Sequence, residues 1–243
     1  MLVSHFFYID MKRIAVLTGA GMSVESGLST FRGGNGLWDD YPVEQVATPE
    51  GFRANPALVL EFYNKRRKEL AAIKPNKGHE LVAALQARYD VTVITQNVDD
   101  LHERAGSANI IHLHGELMKG CSSRDPENTR YICTFMSPLD EIHIGDKAAD
   151  GSQLRPHIVW FGENVPLIAD AIDALAGIDA FIIIGTSLNV YPAAGLLNYV
   201  PHAVPVFLID PNDVNINVMR DVTVIRKGAS DGMQFLIDEY FPL

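Results

Sequence analysis

The sequence predicts an α/β fold, a doubly wound parallel sheet with a smaller module inserted in it, and three observations lead there. Five short apolar, β-branched runs end at Gly, Asn, Asp or Pro: "RIAVLT", "DVTVIT", "DAFIIIGT", "VPVFLID" and "DVTVIR", centred near Val16, Val93, Ile183, Phe207 and Val224. Helical patterns lie between them, such as "KGHELVAALQAR" (Lys77 to Arg88) and "PLIADAIDALAG" (Pro166 to Gly177). Two stretches, Gly33 to about Lys74 and about Met118 to Arg155, break the alternation.

Runs that are apolar throughout suit strands buried on both faces, and helices between parallel strands supply the crossovers. The first interruption reads as helical. Asn55 is placed to cap a helix whose first position is Pro56, and an apolar-basic pattern continues through "ALVLEFYNKRRKELAA". The second is polar and rich in turn formers, "CSSRDPENTRYICTFMSPLDEIHIGDKAADGSQLR". Both are expected in a small module on the ligand-binding edge of the sheet. No internal repeat or low-complexity segment is present.

At 243 residues, 47% hydrophobic and 21% charged, the chain can bury a sizeable core without staples. A net charge of -10 argues against a nucleic-acid backbone as main partner and favours lysine-rich protein surfaces. Cys121 and Cys133 are the only cysteines and read as reduced thiols, which makes a cytoplasmic location the expectation. The opening "MLVSHFFYID" lacks the basic and long apolar regions of a signal peptide, no segment reaches membrane-span length, and Met11 is a second candidate start.

Chemistry gathers where strands end. After the first strand, Gly19 and Gly21 suit close backbone approach to a pyrophosphate, but the third glycine of the dinucleotide fingerprint would fall at Val24. Ala20, Ser23, Ser26 and Gly27 continue the turn, and Phe31-Arg32 offers an apolar face and a cation to cover a nucleotide. A tight packing turn serves the glycines equally well. After the second strand come Gln96, Asn97 and Asp99, suited to ribose or amide recognition, with helix capping by Asn97 or Asp99 as the plainer role. His112 and His114 in "IIHLHGE" share one face of an extended segment, and Gly115 leaves the His114 ring room to face a cleft. A metal pair is the other reading, and no residue at ligand spacing completes it. "RPHIVWFGE", Arg155 to Glu163, reads as an extended run, with a plain core strand as its simplest role. Gly185, Thr186 and Ser187 repeat the logic of the first loop, and Asp210 ends the fourth strand as either a ribose contact or an ordinary turn residue.

Taken in order, GAGxSxxSG with Phe-Arg, TQNVDxLHxxAG, Leu-His-Gly, RPxxVWFGE and GTSLxVxPA resemble the sirtuin family of NAD-dependent protein deacylases, from about Arg13 to Leu236. The resemblance implies one catalytic domain over residues 1–243. Its Rossmann-like NAD-binding part would take about 11–32, 75–117 and 156–243. A small part, helical plus a degenerate zinc-ribbon-like segment, would take about 33–74 and 118–155. It implies that Gly19, Ala20, Gly21, Ser23, Phe31 and Arg32 wrap NAD, and that Gln96, Asn97 and Asp99 flank the nicotinamide and its ribose. Gly185, Thr186, Ser187, Asp210 and Ala229 would line the adenosine side. His114 is the implied general base, with Asn97 and Asp99 in the catalytic set. NAD is consumed: nicotinamide leaves, and the acyl group of a modified lysine ends on ADP-ribose. An imidazole of ordinary pKa, ~6.5, suits such a base. Substrate would add as a strand along Val159, Trp160, Phe161 and Gly162.

Two features qualify the resemblance. Many sirtuins hold zinc with two Cys-x-x-Cys pairs; here the corresponding positions are Cys121 with Arg124, and Lys147 with Asp150, so no zinc is expected. Pairing of Arg124 or Lys147 with Asp150, and contacts from Tyr131 and Phe135, are the expected replacement. Tyr63 and Arg66 stand three apart on a helix and can clamp a carboxylate, as in sirtuins that remove succinyl, malonyl or glutaryl groups. With Lys65, Arg67 and Lys68 adjacent, a basic solvent face is the alternative. The expected activity is deacylation of acyl-lysine in cytoplasmic proteins, acidic groups before acetyl, without nucleic acid or membrane partners. ADP-ribosyl transfer, NAD hydrolysis and a non-enzymatic NAD sensor are the competing outcomes, and the failed fingerprint at Val24 counts against a dehydrogenase.

Overall fold

Alternation along the first strand, β1 (Arg13–Thr18), sends Ile14 and Val16 to one face of a sheet and Ala15 and Leu17 to the other, and both pairs are buried. A computed structural model describes residues 11–28, 41–214 and 220–243. In it β1 is central: β2 (Asp90–Thr95) and β3 (Ile110–His112) lie to one side, β7 (Ala180–Ile184), β8 (Val206–Ile209) and β9 (Thr223–Ile225) to the other. All five pairings are parallel, in the order β3-β2-β1-β7-β8-β9.

The five expected strands are there, joined by a sixth, β3, which ends at His112. The β9 strand is a half-exposed edge, not a buried one. Helices α4 (Lys77–Leu85) and α7 (Ala229–Glu239) cover one face, their Val82, Leu85, Met233 and Leu236 packing on Ile14 and Val16. On the other face α6 (Ile168–Ala174) and a 3-10 helix (Ala193–Tyr199) bring Ala171, Leu196 and Leu197 to Ala15 and Leu17. The doubly wound arrangement is thus observed.

The inserted stretches share a third core. Helices α1 (Val43–Val46), α2 (Pro49–Ala54) and α3 (Pro56–Leu70) follow one another, and the Asn55 side chain accepts from Leu58 N at 3.1 Å with Pro56 in the first turn, as the sequence predicts. Beside them lies an antiparallel sheet, β5 (Cys133–Thr134), β4 (Gly115–Ser122) and β6 (Leu154–Ile158), in the order β5-β4-β6. Phe62, Tyr63, Leu117, Ile158 and Trp160 join the two parts. β4 and β6 run through the expected boundaries at 117/118 and 155/156.

Two local expectations need correction. "RPHIVWFGE" is extended only to Ile158; Glu163 N then bonds to Trp160 O at 3.0 Å, so the run ends in a turn. The helix after Asp99 is α5 (Leu101–Ala105), and its cap position is Asp100, although Asp99 Oδ1 accepts from Leu101 N at 3.2 Å. Among the described residues no helix is long and apolar enough to cross a membrane.

Candidate functional site

Strand order reverses at β1, with β2 and β3 added to one side of it and β7 to β9 to the other, and the crevice beyond the carboxyl ends at such a switch point is where open α/β sheets take ligands. The loops after β1, β2 and β7 meet there. Gly19 N bonds to Ile184 O at 3.0 Å and Gly21 N to Gly185 O at 2.8 Å. A Cβ on Gly21 would lie 2.6 Å from Gly185 Cα, and Gly185 itself has a φ of +61°. These glycines are demanded first by the loops' own interlocking, so the packing-turn reading holds alongside any ligand role.

A chain of side-chain bonds ties the loops together. Thr18 Oγ1 donates to Thr95 Oγ1 (2.8 Å), which accepts from Asn97 N (3.0 Å). The Asn97 amide donates to Gly19 O (3.1 Å) and Ser23 Oγ (3.2 Å), and the Ser23 hydroxyl donates to Asp99 Oδ2 (3.0 Å). Gln96 Nε2 reaches Thr186 Oγ1 at 3.0 Å. Asn97 and Asp99 are nearly enclosed, and burial raises the Asp99 pKa against the bonds from Leu101 and Ser23. A small cavity is lined by Ala20, Ser23, Asn97, Asp99 and Arg66.

His114 sits in the turn between β3 and β4, with Nδ1 3.1 Å from Gln96 O. A carbonyl only accepts, so Nδ1 carries the proton and Nε2 holds the free lone pair. Burial pushes this imidazole below its ordinary pKa, not fully offset by the Gln96 bond. Gly115 has a φ of +82° and a Cβ there would meet His157 O at 2.1 Å, so close approach of β4 to β6 demands the glycine, not room for the ring. His112 bonds to Asn97 O (3.1 Å) and to Glu103 Oε1 (2.7 Å), so both ring nitrogens carry protons; burial opposes that charge, but Glu103 and Glu116 raise the pKa overall. Glu103, His112 and Glu116 bring ligand atoms within 4.8 Å of one another, which the sequence spacing did not reveal. Lys119 pairs with Glu116 at 2.6 Å and the His112 ring is hydrogen-bonded to Glu103, so the trio reads as a polar network tied by Lys119.

Beside this cleft α3 offers Tyr63 and Arg66, both buried. Tyr63 Oη accepts the Trp160 indole N–H at 3.1 Å, which leaves its own proton to donate, and burial raises its pKa. Arg66 Nη1 bonds to Glu69 Oε2 at 2.8 Å. The basic solvent face is only partly realised: Lys65 and Lys68 are exposed, but Arg67 is completely buried, bonding to Leu117 O (2.8 Å), Asn64 Oδ1 (3.1 Å) and Asp140 O (2.8 Å) beneath the Phe135 ring.

In the turn that follows β6, Val159 N bonds to His114 O at 3.0 Å, so the histidine and this segment are fixed to each other. Trp160 points into the core between Phe52 and Tyr63, Phe161 is 44% exposed with its N–H on Ala47 O, and Gly162 takes a φ of +95°. At the far end Ser187 is exposed, the Asp210 carboxylate accepts from Asn212 N at 2.9 Å as an ordinary turn residue does, and Ala229 opens α7. Phe31 and Arg32 lie outside the described residues.

The positions matching zinc ligands do not form a donor set. The Cys121 thiol is buried, its pKa pushed up to about 11 by burial, and it faces Pro156 O at 3.6 Å; Arg124 and Lys147 are exposed. Asp150 is held by hydroxyls instead of the expected cation: Ser122 Oγ at 2.8 Å and Ser152 Oγ at 2.7 Å, with the two hydroxyls 2.9 Å apart. Ser122 Oγ also accepts from Arg124 N and Asp125 N, both at 3.0 Å. Phe135 packs on the third core as expected, whereas Tyr131 closes a 3-10 turn (Thr129–Tyr131).

Sequence reasoning missed Thr18, Thr95, Glu103, and the pairing of Arg155 with Glu163, and "RPHIVWFGE" held the signal for that last pair in its opposite-charge ends.

The same assembly is found in known proteins. The Sir2 family profile matches residues 19–192. An NAD-dependent protein deacylase of Bacteroides thetaiotaomicron is 62% identical over 226 residues, covering 93% of this chain and 97% of that protein. One of Helicobacter pylori is 47% identical over 227 residues, covering 93% and 96%. A solved Sir2 homologue in complex with NAD aligns with a TM-score of 0.82 at 36% identity, over 94% of this chain and 89% of that one. With a profile spanning most of its length, relatives this similar and the crevice in the same architecture, the chain belongs to the Sir2 family.

Proposed function

We propose that this protein is an NAD-dependent protein-lysine deacylase that removes acidic acyl groups, succinyl and malonyl, in preference to acetyl. One observation carries the preference: Arg66, a buried guanidinium, lines the same cavity as Asn97 and Asp99, with Tyr63 one turn away. An acetyl group gives a guanidinium nothing to pair with, whereas a terminal carboxylate accepts a two-pronged bond from it and a third from the Tyr63 hydroxyl. The relatives named as NAD-dependent protein deacylases support the general activity.

The residues fit a dinucleotide. Backbone crowded by glycines, amides from Gln96 and Asn97, and hydroxyls from Ser23 and Thr186 supply donors and acceptors along one crevice at the switch point. Gly19, Ala20 and Gly21, with Phe31 and Arg32, belong to the phosphate end, and Gly185, Ser187, Asp210 and Ala229 to the adenosine end. NAD supplies an anomeric carbon, with nicotinamide as leaving group, and leaves as O-acyl-ADP-ribose. Asn97 and Asp99 orient the nicotinamide side, their side chains pinned through Ser23. His114 takes a proton at Nε2, because Gln96 O holds its Nδ1–H, and burial keeps the ring neutral near pH 7. Peptide lies against the turn from Val159 to Gly162, where the Val159, Trp160 and Phe161 N–H groups are already bonded within the protein, so it meets carbonyls and the exposed Phe161 side chain and reads little sequence. Substrates are acylated cytoplasmic proteins, and the net charge of -10 favours basic ones. The small sheet needs no zinc; stoichiometric zinc in the purified protein would overturn that.

Mass spectrometry of succinyl-, malonyl- and acetyl-lysine peptides, with and without NAD, tests the reading. Arg66→Met should lose the acidic substrates selectively and His114→Tyr should lose all. Equal losses on succinyl and acetyl peptides with Arg66→Met would remove the preference, and nicotinamide release without acyl-lysine would favour ADP-ribosyl transfer or NAD hydrolysis.

A further inference from the structure

We infer that Glu69 sets how strongly acidic acyl groups are selected, by staying paired with Arg66 and sharing that cation with the substrate's carboxylate; this rests on the acidic-acyl reading above. The Arg66 side chain is 9% exposed and Glu69 39% exposed, and they meet in a single contact, Nη1 to Oε2 at 2.8 Å. A guanidinium that far from water needs a counter-charge, and losing it leaves an uncompensated buried charge. Glu69, three residues on along α3, provides it from the solvent side, while Arg66 itself borders the cavity shared with Ser23, Asn97 and Asp99.

The contrast with Arg155 is informative. Both of its terminal nitrogens are bonded to one carboxylate, at 2.7 and 2.9 Å, in a two-pronged structural pair. Among the described residues Arg66 bonds through one nitrogen of a fork that carries five N–H donors, so a second anion can be taken without first breaking the helix pair. That second anion, the acyl carboxylate, then shares one cation with Glu69 and is repelled by it. Glu69 therefore stabilises the empty site and weakens the filled one, which tunes selectivity without touching the reacting atoms.

The experiment is steady-state kinetics of Glu69→Gln, which keeps an oxygen for Arg66 and removes the charge, on matched succinyl- and acetyl-lysine peptides beside wild type and Arg66→Met. The ratio of succinyl to acetyl KM should fall about fivefold in Glu69→Gln, as loss of one like charge near a partly exposed site implies, with the change in KM and not in kcat. An unchanged or raised ratio overturns the inference. The acidic-acyl reading fails separately, if Arg66→Met lowers both substrates alike; if Arg66→Met is selective and Glu69→Gln does not move the ratio, only the role of Glu69 is lost.

Discussion

Arg155 and Glu163, the first and last residues of one nine-residue run, close it on itself through two short bonds while the Arg155 guanidinium lies 3.7 Å from the Trp160 ring centroid. The same carboxylate accepts Trp160 N at 2.8 Å, and Arg155 Nη2 donates to Ile158 O at 2.9 Å. The turn carrying Phe161 and Gly162 is therefore fastened from inside.

Arg155→Met should destabilise the fold by about 3 kcal/mol, because it strands a half-buried carboxylate. Urea denaturation measures this, and peptide KM at a temperature where the variant is folded should rise as the turn loosens. A variant as stable as wild type would make the pair ornamental.

The pH profile of turnover should report His114. Its folded pKa is lowered, and the neutral ring is the active form, so activity falls only as pH drops below the ordinary histidine range. The acid limb of kcat/KM should therefore bend below pH ~6.5. An inflection above that value would assign the limb to another group.

Acid stability should depend on His79. Burial lowers its pKa to about 4, and the neighbouring His102, ring centroids 4.9 Å apart, is lowered too, mainly by burial. The unfolded chain takes up protons from pH 6.5 downward while the native state does not, so stability is full above 6.5 and lost as pH falls toward 4. His79 alone accounts for about 3 kcal/mol of that loss. Denaturation at pH 7 and 4.5 should show a shallower fall in His79→Gln, where the glutamine oxygen can still accept from Asn76 N; parallel falls would refute the assignment.

Arg67 and Lys65 make a matched pair of tests. Arg67→Met abandons two backbone carbonyls and an asparagine oxygen in the interior and should cost about 3 kcal/mol. Lys65→Met, on the exposed side of the same helix, should stay within about 0.5 kcal/mol. Thermal melts decide it, and equal shifts would contradict the burial difference.

The parallel strands were readable because each apolar run has to be buried on both sides, and α3 because Asn55 and Pro56 mark its start. The segment before His114 reads as extended, but three residues ending at a histidine carry no period that would place them as β3 in the main sheet. Helical spacing gives Arg67 a direction but not what packs there, and the carbonyls that hold it come from Leu117 and Asp140, far along the chain. The staple around Asp150 was assigned to cations because charge is visible in a sequence, whereas the reach of the Ser122 and Ser152 hydroxyls is set by how β4 and the loop before β6 return beside each other. The loop residues from Gly19 to Asp99 stand out by composition at strand ends; that Ser23, Asn97 and Asp99 form one bonded chain is a matter of distance alone.

The interlocked glycines have a consequence for biosynthesis. Gly21 rests against Gly185, so the floor of the crevice is made from the first strand-end and from one that leaves the ribosome only after most of the chain has been made. A nascent chain without β7 holds the β1 loop only from the Asn97 and Asp99 side, and parallel pairing between such distant segments is slow to close. The crevice therefore gains its floor only with the completed sheet, and a truncated product would keep at most the wall built from the β1 and β2 loops.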